Sequence, residues 1–138
     1  MALKSYKPYT KSTRTTVLVD RKNIWKGSPY KPLTRGKISS GGRNNLGRIT
    51  SRAKGAGHKK RYRIIDFHRN KIDVIGTVER IEYDPNRTAY IALIAYVDKV
   101  KSYIICPQGL KVGDKIESGK NVDIKIGNSL QLKEIPPG

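Results

Sequence analysis

The sequence predicts an all-β protein, a small five-stranded OB-type Greek-key barrel over residues 61–126 behind a long basic extended arm over residues 1–60. Three observations carry that reading. Of 29 Lys and Arg, 20 fall in residues 1–71 beside only two acids, Asp20 and Asp66, while residues 72–138 balance nine of each sign. The whole excess of +18 therefore sits in the first half, as expected of a basic arm on a neutral folded body. No acid occurs from Arg21 to Ile65, and the apolar residues of that window (Ile24, Trp25, Leu33, Ile38, Leu46, Ile49) hold no period of 3.6 or 2. Beyond Tyr62, short β-rich runs alternate with turn signals.

Taken in chain order, the arm offers one local strand at VLVD (17–20) and is broken at Gly27–Ser28–Pro29 and Lys31–Pro32. Such a segment does not repay its ordering entropy alone, so residues 1–60 are expected to order on a polyanion. Arg61–Phe67 reads as the first strand of the barrel, and Ile72–Tyr83 as the second. The apolar register of the second switches from Val74, Gly76 and Val78 to Ile81 and Tyr83, which predicts a bulge near Glu79–Arg80. Asp84–Pro85–Asn86 is a turn. Thr88–Val97 (TAYIALIAYV) is apolar on both faces, the mark of a central strand, with alanines that suit a tightly curved barrel. Lys101–Cys106 makes a fourth strand, and Lys115–Glu117 and Val122–Ile126 supply short edges. A two-sheet sandwich is the alternative. The expected core is Ile64, Ile65, Val74, Val78, Ile91, Leu93, Ile104, Ile105, Val112, Ile116, Ile124 and Ile126. Residues 127–138, ending Pro136–Pro137–Gly138, read as a linker.

The charge calls for a polyanionic partner, nucleic acid or an anionic surface. No apolar run approaches the ~20 residues of a membrane span. The segment SGGRNNLGRITSRAKGAGHKKRYR (40–63) holds five glycines, eight Lys or Arg and no acid. Lys and Arg neutralise phosphates and release counterions; glycine lets a backbone approach closely. Trp25, Tyr30, His58 and Tyr62 can stack on unpaired bases. The competing reading is a solvated tail without a specific partner, against which stands the close recurrence of particular polar types.

Enzyme chemistry finds no footing. Gly42 and Gly47 have phosphate-loop spacing, but Arg48 and Ile49 follow where Lys and a hydroxyl residue are required. Two histidines and one cysteine do not close a zinc site. His58 and His68, each beside a Lys or Arg, read as a neutral donor and a solvated strand-end residue. Asp66, among Arg63, Arg69 and Lys71, reads as a local salt-bridge partner, and Cys106 as a small buried hydrophobe.

SGGRNNLGRIT (40–50), GHKKRYRIIDFHRNK (57–71), EYDPNRTAYIALI (82–94), GLKVGDKIESG (109–119) and IKIGNSLQL (124–132) follow one another as in the L2 family of large-subunit ribosomal proteins, and the chain resembles the N-terminal half of its bacterial and organellar form. The resemblance implies an OB-type barrel behind an RNA-penetrating arm. It implies binding to 23S-type large-subunit rRNA near the peptidyl-transferase region, a role in assembly and subunit association, and neighbouring ribosomal proteins as partners. Carried over by position, the contacting residues are Arg43, Asn44, Asn45, Arg48, Arg52, His58, Lys59, Tyr62, Arg63, Arg69, Asn70 and Lys71. The charge of the segment adds Lys54, Lys60 and Arg61. No cofactor is implied, since structural Mg²⁺ would belong to the rRNA. The ribosome of a bacterial cytoplasm or of a mitochondrion is the implied location. Family members continue into an SH3-like domain, so a separately encoded C-terminal half is a further implied partner. Two positions depart from the family pattern: Ala56, where a third glycine is usual, and Ala53, where His is common. A free single-strand-binding or RNA-chaperone OB protein is the runner-up; it would keep aromatics on the barrel face but has no need of GGRNN or GHKKRYR.

Overall fold

The computed structural model describes residues 3–55 and 57–135. Ala56, and the terminal Pro136–Pro137–Gly138 read as a linker, lie outside the described residues.

The arm holds more regular structure than its sequence announces. Strand β1 (Leu3–Ser5) pairs antiparallel with β2 (Val17–Val19), so VLVD does form a strand and finds a partner. Between them lies α1 (Lys11–Thr15). Thr10 caps it: the Thr13 N–H donates to Thr10 Oγ1 at 3.3 Å, and the Thr10 N–H donates to Thr13 Oγ1 at 2.9 Å. This reciprocal pair satisfies two of the orphan donors that end every helix. Lys31–Pro32 does not break the chain but starts a 3₁₀ turn over Lys31–Leu33, where proline's missing N–H costs nothing. Strand β3 (Thr34–Gly36) follows and pairs antiparallel with β4 (Arg61–Arg63).

The fold is all-β, with a curled antiparallel sheet of OB type at its centre. Strands β5 (Gly76–Glu82), β6 (Ile91–Tyr96), β7 (Lys101–Ile105) and β8 (Lys115–Ile116) lie in the order β7-β6-β5-β8. The anticipated bulge is present: the β5–β6 register shifts between Val78 and Arg80. It turns Val78 to one face and lets Ile81 pack on that same side two residues after the shift.

β6 is buried on both faces, and the two faces meet different partners. Ala92, Ile94 and Tyr96 join Val78, Ile104, Leu110 and Ile116. Ile91 and Leu93 join Ile65 and Tyr103, with Tyr30 and Leu33 of the arm packed over them. The arm thus closes one side of the core. Trp25 makes a parallel bridge to Glu82, its N–H donating to the Ile81 carbonyl at 2.9 Å.

Several expectations change. Arg61–Phe67 is not one barrel strand. Only Arg61–Arg63 is strand, on β3; the Ile64 N–H then bonds Leu33 O, and Ile65 makes a single parallel bridge to Tyr103. The chain exchanges one partner for another within three residues, so no continuous ladder forms. Val122–Ile126 is not a strand either. Its backbone is satisfied locally, Lys125 N–H to Asp123 O and Asn128 N–H to Lys125 O, leaving Ile124 and Ile126 exposed. Val112 lies exposed in the turn held by the Lys111 N–H to the Asp114 carboxylate. Ile94, Tyr96, Tyr103 and Leu110 complete the core instead.

Candidate nucleic-acid interface

Antiparallel pairing of β3 with β4 sets Arg35 opposite Tyr62 and Gly36 opposite Arg61. Past that pair the strands part around a cleft of about 550 Å³ lined by Lys37, Ile38, Ser39, His58, Lys59 and Lys60. A neighbouring cleft of about 610 Å³ adds Arg35 and Arg61 to the lysines. Five exposed cations therefore converge here with no carboxylate in either lining. In the free protein they repel one another; a polyanion relieves that repulsion and releases counterions. Sequence reasoning found Lys59, Lys60 and Arg61 but missed Arg35 and Lys37. Only the β3–β4 register brings those two across, and three-residue strands leave too short a period to read.

Residues 40–51 form a hydrogen-bonded loop rather than an open tether. The Gly42 carbonyl accepts from the Thr50 and Ser51 N–H groups at 3.0 and 3.1 Å, and Arg43 bridges Ile49. Gly42 has φ of +79°, and a Cβ there would lie 2.3 Å from the Ser51 carbonyl oxygen. Only glycine serves. Asn44 turns inward: its Oδ1 accepts from the Leu46 and Arg48 N–H groups at 3.0 and 2.9 Å. Its oxygen is thereby committed to shaping the loop, in the manner of an Asx turn. Arg43, Asn45 and Arg48 are exposed around this frame. Arg52 and Lys54 are exposed on the next turn, with Ala53 between them at φ +57°. A positive φ at alanine is uncommon and stores about 1 kcal/mol or more.

Three anticipated contact residues are engaged inside the protein. Arg63 is buried, with Nη1 donating to Arg61 O at 2.9 Å and standing 3.8 Å from the Asp84 carboxylate. Arg69 donates from Nη2 to the Gly127 carbonyl at 2.9 Å. Lys71 pairs with Asp98 and lies 4.7 Å from the Tyr96 ring centre. Asn70 is exposed, as is Tyr62, with Arg87 6.0 Å from the Tyr62 ring centre. Asp66 makes no ion pair among the described residues; it accepts from the Arg69 backbone N–H at 2.9 Å and so shapes that turn. Of the proposed stacking aromatics, Tyr30 belongs to the core, and Trp25 is half covered by Arg80, 4.7 Å from its ring.

The residues behind the interface were less legible. Asp84 is fully buried and binds Arg87 Nε at 2.6 Å, as well as the Asn86 N–H and side-chain amide. Burial by itself would raise its pKa; the Asn86 and Arg87 hydrogen bonds outweigh it and hold the carboxyl below its usual range. Asn86 Nδ2 also donates to Arg61 O at 2.6 Å, tying β4 to the turn. Tyr103, wholly buried, accepts from the Tyr30 N–H at 2.8 Å and donates to Glu82 Oε1 at 2.9 Å. Its phenol is pushed up to about 12, first by burial and then by the Glu82 charge. Glu82 in turn binds Arg80 Nε at 2.7 Å. These two networks lock the arm to the sheet and fix where the cationic clefts stand. The described residues hold no cluster of three His, Cys, Asp or Glu able to bind a metal ion.

A family profile described as the RNA-binding N-terminal domain of ribosomal proteins L2 matches residues 30–118. That span starts within the arm, at the residue whose N–H meets Tyr103. The chain is 60% identical over 138 residues to the large ribosomal subunit protein uL2 of Gluconacetobacter diazotrophicus. It is 62% identical over the same length to the uL2 proteins of Rickettsia canadensis and Mesorhizobium japonicum. In each case all of the chain is covered and half of the relative, so the chain spans half the length of these relatives.

Proposed function

The chain belongs to the ribosomal protein L2 family, through that family's RNA-binding N-terminal domain, and from this we propose that it is a structural constituent of the large ribosomal subunit. In this reading it binds 23S-type rRNA near the peptidyl-transferase region, supports assembly and subunit association, and works beside neighbouring ribosomal proteins. Its place is a ribosome of bacterial type, in a bacterium or a mitochondrion. The role is to hold RNA in shape and asks for no catalytic group.

The observation that carries the reading is the convergence of Arg35, Lys37, Lys59, Lys60 and Arg61 on clefts without a carboxylate in their linings. Phosphate neutralisation supplies affinity there, and the fixed loops supply register. Sedimentation after photocrosslinking in cell extract tests it. Recovery of the chain with large subunits supports the proposal. A pool bound to messenger RNA or free of ribosomes would replace it with the chaperone reading.

A further inference from the structure

A separate cleft, of about 660 Å³, opens between residues 68–73 and the segments 118–121 and 129–131. Its frame is tied by backbone bonds: Asp73 N–H to Ser118 O at 2.7 Å and Gly119 N–H to Ser129 O at 3.1 Å. Gly119 lets the Asp73 carboxylate approach closely: a Cβ there would fall 2.4 Å from Asp73 Oδ1 and push that side chain aside. Arg69 and Asp73 both hold positive φ, +54° and +57°. Two left-handed non-glycine residues within five positions mark a segment held in a specific shape by its surroundings.

The chemistry of this lining differs from that of the cationic clefts. Asn70, Asn121 and Gln131 present side-chain amides, each with paired donors and an acceptor. Ile72 and Leu130 present apolar surface, and Ile72 is 61% exposed. Amides and apolar walls suit a flat heteroaromatic ring with polar edges, and His68 and Lys120, which share the lining with Asp73, can meet the phosphate attached to it. The volume lies within the ~300–1,000 Å³ of small-ligand sites. Proteins read unpaired RNA by taking splayed bases into such places and bonding their edges.

We propose that this cleft receives one unpaired nucleotide of the bound RNA, its base seated against Ile72 and Leu130 and its edge bonded by Asn70, Asn121 and Gln131. The inference rests on the RNA-binding reading above and adds base recognition to a surface otherwise built for backbone. It also assigns a role to residues 118–131, distant in sequence from the basic arm.

The test is chemical probing of large-subunit rRNA bound to the full chain, with dimethyl sulfate and a carbodiimide for bases and hydroxyl radicals for backbone. Three proteins are compared: the unsubstituted chain, Asn70→Ala/Asn121→Ala/Gln131→Ala, and Lys59→Ala/Lys60→Ala. In the first, one unpaired base is protected; in the triple variant its reactivity rises and affinity falls roughly ten-fold, with backbone protection and salt slope retained. In the lysine variant the affinity falls and the slope flattens, yet the same base is protected at saturating protein. Absence of any backbone protection by the unsubstituted chain would sink the RNA-binding reading itself. Backbone protection with no base whose reactivity responds to the triple variant would overturn this inference alone, as would crosslinking of the cleft to a polypeptide instead of RNA.

Discussion

At the scale of single residues, the buried charges decide how firmly the interface is held. Asp84 is wholly buried between Arg63 and Arg87. Breaking such a group by removing one partner leaves uncompensated charge, so Asp84→Asn should cost about 3–5 kcal/mol in urea denaturation at pH 7. The pH dependence follows from the direction of the shift. The folded carboxyl titrates below its unfolded value of about 3.9, so its stabilisation is present above that pH and lost as pH falls through the lower folded value. The gap between the unsubstituted chain and Asp84→Asn should therefore stay constant from pH 7 to about pH 5 and close only below about pH 4; a gap independent of acid would show that packing, not charge, is responsible. Tyr103 shifts the other way. Its contribution is complete below the ordinary phenol value of about 10 and disappears as pH rises through about 12. Ultraviolet titration of the eight tyrosines should show late titration whose last step Tyr103→Phe removes, leaving that of Tyr96, whose phenol is also pushed up by burial. Neither residue announces itself in sequence: Asp84 reads as the first position of a turn, which it also is, and Tyr103 as one alternating strand residue among others.

At the scale of elements, legibility followed the length of the pattern. β5, β6 and β7, five to seven residues each, were readable with their bulge, because alternation over that span has a period to detect. Of the two- and three-residue strands, β2 and β8 were anticipated at VLVD and Lys115–Glu117 and β4 inside the longer Arg61–Phe67, whereas β1 and β3 were not, because only pairing with distant chain makes them. The fold of the loop at 40–51 was not legible, since its order comes from carbonyl and Asx bonds that glycine and asparagine make without hydrophobic periodicity. Gly42→Ala tests that order. It forces a Cβ against the Ser51 carbonyl and a positive φ on alanine, so RNA affinity should drop about ten-fold through misplaced Arg43 and Arg48, while the barrel's thermal midpoint moves by no more than ~4 °C. The end of the chain teaches the opposite lesson. Residues 127–138 read as a linker, yet the Ser129 N–H bonds Glu117 O at 3.0 Å and Asn128 Oδ1 accepts from the Glu117 N–H at 2.9 Å. Truncation after Gly127 removes both bonds and should lower the midpoint by about 5–15 °C, at roughly 1 kcal/mol per bond. Truncation after Gln131 spares them and should leave the midpoint nearly unchanged.

At the scale of the whole molecule, the division of charge survives folding but not as an arm beside a body. The neutral second half supplies the sheet, and arm residues Trp25, Tyr30 and Leu33 cover part of it. The basic half is thus anchored at both ends of residues 37–60: by β3 and the 3₁₀ turn before it, and by β4 and the Asp84 network after it. Composition pointed toward a polyanion because net charge needs no geometry. It did not reveal the anchoring, because Arg63, Arg69 and Lys71 look the same in sequence whether they face phosphate or, as here, Asp84, the Gly127 carbonyl and Asp98. The distinction has a measurable consequence in salt. If about six exposed cations contact phosphate, log K should fall with log salt at a slope of roughly −4 to −5. Lys59→Ala/Lys60→Ala/Arg61→Ala removes three of the convergent cations and should flatten that slope by about two to three. Arg35→Ala/Lys37→Ala, on the facing strand, should flatten it by a further one to two, roughly, if both walls of the cleft hold the same strand of RNA. Replacing Lys71 should barely alter the slope, since its charge is already answered by Asp98 within the protein. A slope that responds to Lys71 as strongly as to Lys59 would mean that RNA draws that lysine away from its partner, and the inward-facing cations would then have to be counted with the rest.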